Sequence, residues 1–159
     1  MKWVRDTGAK IRFVTNNPRF SRDFYYMKLN ELGIHAEMDE IVTSSQLTAA
    51  YLRKNPEYGD VFIIGESQLR SELLDAGISL VEHPNPDTVV ISFDTTLTYE
   101  KLMLAYHGLM AGARFIATNP DAVCPTPDGG SLMQVQLSQH WRQQQAAKLR
   151  KLSGSRRTC

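Results

Sequence analysis

Cysteine is scarce in this chain. Its two cysteines, Cys124 and Cys159, make no disulfide framework, and neither has a partner at metal-ligand spacing. The four histidines, His35, His83, His107 and His140, are scattered, so no zinc pattern forms. Long apolar runs are missing too, since no stretch approaches the roughly 18 residues a membrane span needs. The opening Met1-Lys2-Trp3-Val4-Arg5-Asp6 has no apolar centre of the kind a secretory leader requires. Together these absences point to a reducing cytoplasm and to no membrane partner. Gly129-Gly130 is too short to cradle a phosphate by itself.

Acidic residues are absent from Gln134 to Cys159, a stretch that carries Arg142, Lys148, Arg150, Lys151, Arg156 and Arg157 and a run of glutamines. The net charge of +1 therefore hides an acidic remainder. Clustered cations can bind nucleic acid by releasing counterions, but a solvated tail is the reading adopted, without a nucleic-acid partner. With 42% apolar and 22% charged residues the chain has the composition of a globular protein.

What the sequence does contain is an alternation of β-branched runs and amphipathic segments, the pattern of a parallel sheet covered by helices. Strands are expected at Ile11 to Thr15, Glu40 to Thr43, Val61 to Ile64, Thr88 to Phe93 and Arg114 to Thr118. Helices are expected over Arg22 to Leu32 after Ser21, over Ser67 to Ala76, and over Tyr99 to Ala111 after Thr98. Each stops at a glycine, Gly33, Gly77 or Gly112. Lys2 to Asp6, followed by Thr7 and Gly8, reads as the end of a helix.

The most informative run is Phe13-Val14-Thr15-Asn16-Asn17, an apolar strand that ends in a hydroxyl and two amides. In open parallel sheets ligands collect beyond the carboxyl ends of the strands, where a Thr hydroxyl and backbone N–H groups can hold a phosphoryl oxygen. Further blocks accompany it: Trp3 to Gly8, Asp39 to Ser44, Asn85 to Val90, Phe93-Asp94, Thr96 to Leu102, and Phe115 to Asp121. In this order and spacing, from Met1 to about Met133, they resemble a NagD-type (subclass IIA) phosphatase of the haloacid-dehalogenase superfamily.

That resemblance implies an α/β fold: a partial Rossmann-like core at residues 1–45, an inserted α/β cap domain at 46–128, and a return to the core at 129–159 that passes into the basic tail. It implies phosphomonoester hydrolysis through a phospho-aspartyl intermediate assisted by Mg2+, acting on a small phosphorylated metabolite. It also implies that Thr15, Asn16 and Asn17 bind phosphate, and that Asn119 and Asp121 of the cap face the substrate. The first family motif, Asp-x-Asp-Gly-Thr, does not precede Thr15 in these residues. Ser92 to Leu97 has its outline, with Ser in place of the first Asp and Thr in place of the Gly. The third-motif lysine and the acidic fourth motif are not visible either, so the expectation is an inactive chain without the metal's ligands. A non-catalytic module that binds a phosphometabolite or a partner is the alternative. Without the first core strand, the edge of the Ile11 to Thr15 strand should be uncovered and open to self-association.

The tail itself is expected to be a reading-frame product and poorly ordered. If the third base of each codon from Met133 onward is read with the first two bases of the next, permitted choices spell a family-like helix followed by Gly-Lys-Pro, the context of the missing lysine. His140 followed by Trp141 gives Leu whichever His codon is used. Sequencing the gene checks this: nucleotides that do not encode that string in the neighbouring frame would end the idea.

Overall fold

A computed structural model of the chain describes residues 2–17, 19–119, 123–124 and 131–132. Two compact units divide it, residues 1–119 and 120–159.

In the first unit, helix α1 (Lys2–Asp6) ends where Thr7 Oγ1 donates to Val4 O and Gly8 N–H donates to Arg5 O. Strand β1 (Phe13–Thr15) leads to helix α2 (Arg22–Glu31), whose first turn is capped by Ser21 Oγ, which accepts from Phe24 N–H at 3.2 Å. Gly33 stops α2 at a φ of +74°, a conformation that costs a residue with a Cβ far more than it costs glycine. A 3-10 turn (Met38–Glu40) then feeds strand β2 (Ile41–Thr43). β1 and β2 run parallel, with Phe13 opposite Ile41 and Thr15 opposite Thr43.

Helix α3 (Ser44–Lys54) starts directly from β2. Sequence reading named no helix there, because the buried face is made of Ser45, Thr48, Ala49 and Leu52, small and polar residues that blur the apolar period. The local signal is a capping box. Thr43 Oγ1 accepts from Gln46 N–H, and Gln46 Oε1 accepts from Thr43 N–H, both at 3.2 Å.

A second sheet follows, with strand β3 (Val61–Ile64), helix α4 (Ser67–Asp75), strand β4 (Thr88–Ile91), helix α5 (Tyr99–Ala111) and strand β5 (Arg114–Ala117). Its order is β3-β4-β5, all parallel, with Val61 opposite Thr88 and Thr88 opposite Arg114. Every residue of β3 and β4 is buried, which is why both read as unbroken apolar or β-branched runs rather than as alternation. Leu69 and Leu73, one turn apart on α4, pack with Val61, Ile63 and Val90 of the sheet and with Ala49 and Leu52 of α3. Each fully buried aliphatic side chain there is worth about 1.5–3 kcal/mol. Because α3 grows out of β2 and shares this cluster with α4, the same core ties the first sheet's exit to the second sheet.

α5 lies close to the Pro86 turn because Gly108 has no side chain. A Cβ there would come within 2.8 Å of Pro86 Cγ and Cδ. α2, by contrast, has no buried residue. Val14 of β1 is 72% exposed, and among the described residues β1 pairs only with β2.

The second unit's described part is an antiparallel pair, β6 (Val123–Cys124) with β7 (Ser131–Leu132), Val123 opposite Leu132. The basic tail lies outside the described residues. No helix among the described residues is long and apolar enough to cross a membrane.

Candidate active-site loop

The chain turns sharply as it leaves β1. Asn17 N–H donates to Thr15 Oγ1 at 3.2 Å, and Asn17 Oδ1 accepts from Arg19 N–H at 3.0 Å. These are the local side-chain-to-backbone bonds that short polar residues make in turns. Tyr25, in the first turns of α2, donates its hydroxyl to Asn17 O at 3.3 Å. Asn16 O accepts from two distant residues, Ser44 Oγ at 3.4 Å and Asn119 Nδ2 at 3.2 Å. The strand-end run, the start of α3 and the residue that follows β5 therefore converge on three consecutive residues.

Chemically, the turn prepares a donor. A hydroxyl has one proton and two lone pairs. With Asn17 N–H on one lone pair, the Thr15 hydroxyl keeps its own proton and a second lone pair. Thr15 is one of the residues lining a groove of about 420 Å³ that Phe13, Val14, Leu29, Leu32 and Ile41 make largely apolar, with Arg12, Tyr25 and Lys28 beside them.

Of the residues singled out from sequence, Asn119 reaches this loop and is 5% exposed. Asp121 lies outside the described residues. Asp94, the acid of the Ser92 to Leu97 run, is held elsewhere: Oδ1 accepts from Thr96 N–H at 2.8 Å and Thr96 Oγ1 at 2.6 Å, and Oδ2 pairs with Lys101 Nζ at 2.8 Å. This braces the loop before α5. Nearby, Glu66 Oε1 accepts from Thr95 N–H and Oγ1, and Thr118 Oγ1 donates to Ser92 Oγ.

Sequence reading missed Ser44 and Tyr25, whose roles depend on tertiary placement and leave no local signal. It also missed a bidentate ion pair at the opposite, amino end of β1 and β2, Arg5 to Glu40, with both bonds at 2.6 Å and a third from Arg5 to His35 O. The Arg5 guanidinium, joined by Glu37 N–H, holds the Glu40 carboxyl down at about 2. The pair raises Arg5 in turn, which keeps both groups charged.

A separate cleft of about 600 Å³ between the start of α2, α3 and α4 is lined by Arg22, Arg53, Gln46, Gln68 and Glu72. Burial pushes the Glu72 carboxyl up. None of the motif residues lines this cleft. Among the described residues no three His, Cys, Asp or Glu side chains converge as metal ligands.

Two parallel sheets joined through helices, the first ending in a polar loop at its strand end, define an α/β protein. Residues 1–79 match the haloacid dehalogenase-like hydrolase family. The sugar-phosphatase AraL of Bacillus subtilis is 39% identical over 133 residues, 83% of this chain and 49% of that protein. An acid sugar phosphatase of Staphylococcus epidermidis is 40% identical over 117 residues, 74% of this chain and 45% of its own length. Among solved structures, a p-nitrophenyl phosphatase from Archaeoglobus fulgidus superposes with a TM-score of 0.76 at 32% identity, over 85% of this chain and 52% of that one. The chain belongs to the haloacid-dehalogenase-like hydrolases, in their NagD-type group, and the expected α/β fold class is borne out. It spans about half the length of the curated relatives it matches.

Proposed function

We propose that this chain binds the phosphoryl group of a small sugar phosphate at Thr15, Asn16 and Asn17, and that its 159 residues do not hydrolyse it. In this reading residues 1–45 are a partial core and 46–128 a cap, and the tail from 129 onward contributes neither catalysis nor nucleic-acid binding. Mg2+ serves the intact family, and the ligands for it are not supplied by this chain. The cytoplasm is the compartment, and the free edge of β1 is the surface through which copies would associate.

The observation that carries the reading is the bond from Asn17 N–H to Thr15 Oγ1 at the carboxyl end of β1, which leaves a hydroxyl proton for an anion. The sugar class is taken from the relatives' names, and their match is about half their length. The non-catalytic alternative draws support from one specific feature, the engagement of both Asp94 carboxylate oxygens by Thr96 and Lys101.

Titration of the 15N-labelled chain with glucose 6-phosphate and with inorganic phosphate tests this. The Thr15 and Asn17 amides should shift saturably. In Thr15→Val, which keeps the strand and removes the hydroxyl, binding should weaken by about ten- to a hundredfold, as for a hydrogen bond to a charged group. Absent or non-saturating shifts in the unmodified chain would refute the reading.

A further inference from the structure

Asn16 O and Asn17 N–H belong to the same peptide group. Its carbonyl is held by Asn119 Nδ2 at 3.2 Å and Ser44 Oγ at 3.4 Å, and its N–H is held by Thr15 Oγ1 at 3.2 Å. A peptide group is planar and rigid, so whatever fixes the carbonyl direction also fixes the N–H direction. That N–H decides which lone pair of Thr15 is taken, and therefore where the hydroxyl proton can point.

We propose that Asn119, 103 positions away in sequence, is a positioning residue for the Thr15 hydroxyl, acting through the Asn16–Asn17 peptide. The proposal rests on the phosphate reading above and assigns Asn119 a role other than contact with the substrate. Three features support it. Asn119 is 5% exposed, so water replaces its bond poorly. Only an amide N–H, not the amide oxygen, can face a carbonyl productively, which fixes the side chain's orientation. The other donor, Ser44 Oγ, sits at the longer distance of 3.4 Å and cannot substitute fully.

The location adds a mechanical consequence. Asn119 follows β5, the edge strand of the second sheet, and Thr118 next to it is tied to Ser92 beyond β4 by a hydroxyl pair at 2.8 Å. A displacement of the second sheet's carboxyl edge therefore reaches the Asn16 carbonyl directly through the Asn119 side chain. The Asn119 amide thus links the sheet that would shape the sugar pocket to the hydroxyl that would meet phosphate.

The test uses the full chain with Asn119→Leu, close in size and unable to donate. Asn119→Asp, isosteric with a carboxylate toward the carbonyl, is the second variant should Leu not fold. Hydrogen exchange of the Asn17 amide reports the positioning directly, and inorganic phosphate titration reports its effect on the site. Asn17 exchange should accelerate about tenfold and phosphate affinity should fall about five- to tenfold, the size of one lost hydrogen bond in a buried setting. The Val89 and Val90 amides of β4 should keep their protection. Unchanged Asn17 exchange in a folded variant overturns the proposal. So does acceleration spread evenly to Val89 and Val90, which would mean a general loss of structure. If the unmodified chain binds no phosphate while Asn17 exchange still accelerates selectively, the positioning stands and the phosphate reading fails.

Discussion

Supplied with magnesium and p-nitrophenyl phosphate, the purified chain is expected to release no p-nitrophenol above the uncatalysed rate. The family's route needs a carboxylate nucleophile that takes the phosphoryl group before water removes it. The 159 residues contain no Asp-x-Asp-Gly-Thr, and the acid in the closest outline of it, Asp94, spends its oxygens on Thr96 and Lys101. Thr15 can orient and stabilise a phosphoryl group, but a hydroxyl that donates its proton to an anion is not thereby a nucleophile. Loss of the nucleophile from a covalent mechanism costs on the order of a millionfold in turnover, so the expected result is a blank rather than a weak signal. Steady-state release of p-nitrophenol decides it. Turnover that disappears in Thr15→Val would show that a carboxylate of this chain reaches the loop after all, with Asp94 and Asp121 the first to examine.

Acid should dismantle the chain through Glu40. Its carboxyl is held at about 2 in the folded state against an ordinary 4.5, chiefly by the Arg5 hydrogen bonds and then by Glu37 N–H. A carboxyl depressed on folding stabilises the folded form fully above its unfolded value, and the contribution drains away as pH falls through the folded value. The loss should therefore begin near pH 4.5 and be complete near pH 2. In Arg5→Met the main cause of the depression is gone, and burial of Glu40 then works in the opposite direction. The acid limb of that variant should move up by one to two pH units, an expectation of roughly that size from the lost partner. Glu40→Gln should flatten the limb over the same range. Urea midpoints followed by circular dichroism from pH 2 to pH 7 give the comparison. Superimposable limbs for the chain and Arg5→Met would show that Glu40 does not govern acid stability.

The elements that could be read in advance are those whose signals are local. Val61 to Ile64 and Thr88 to Ile91 are unbroken β-branched or apolar runs, and both are strands. Gly33, Gly77 and Gly112 end three helices at positive φ. Leu69 and Leu73 are buried as the helical period requires, whereas Leu74 is 51% exposed, because the seam that α4 presents to β3 and α3 is narrow. α4 is not capped like α2: Glu66 occupies the cap position without a side-chain cap bond and gives its carboxylate to Thr95. The start of α3 was hidden by serines that are buried in the structure, a pattern that hydrophobicity cannot register. The loop was legible as Thr15-Asn16-Asn17, but its supports were not. Ser44, Tyr25 and Asn119 meet it only after the chain has folded, and no spacing along the sequence encodes a bond across 103 positions.

Thr15 and Thr43 stand opposite each other at the ends of neighbouring parallel strands, and each hydroxyl captures a backbone N–H a few residues further on, Asn17 in one case and Gln46 in the other. The first capture opens a loop, the second starts a helix. The two threonines are thus the same small device used twice. Thr43 is 1% exposed, so its device is sealed and serves only architecture, whereas Thr15 is half-buried and keeps a face toward solvent. In chains of this kind a ligand-binding strand end and a helix start are interchangeable in chemistry, and what divides them is whether the neighbouring side chains leave a door open.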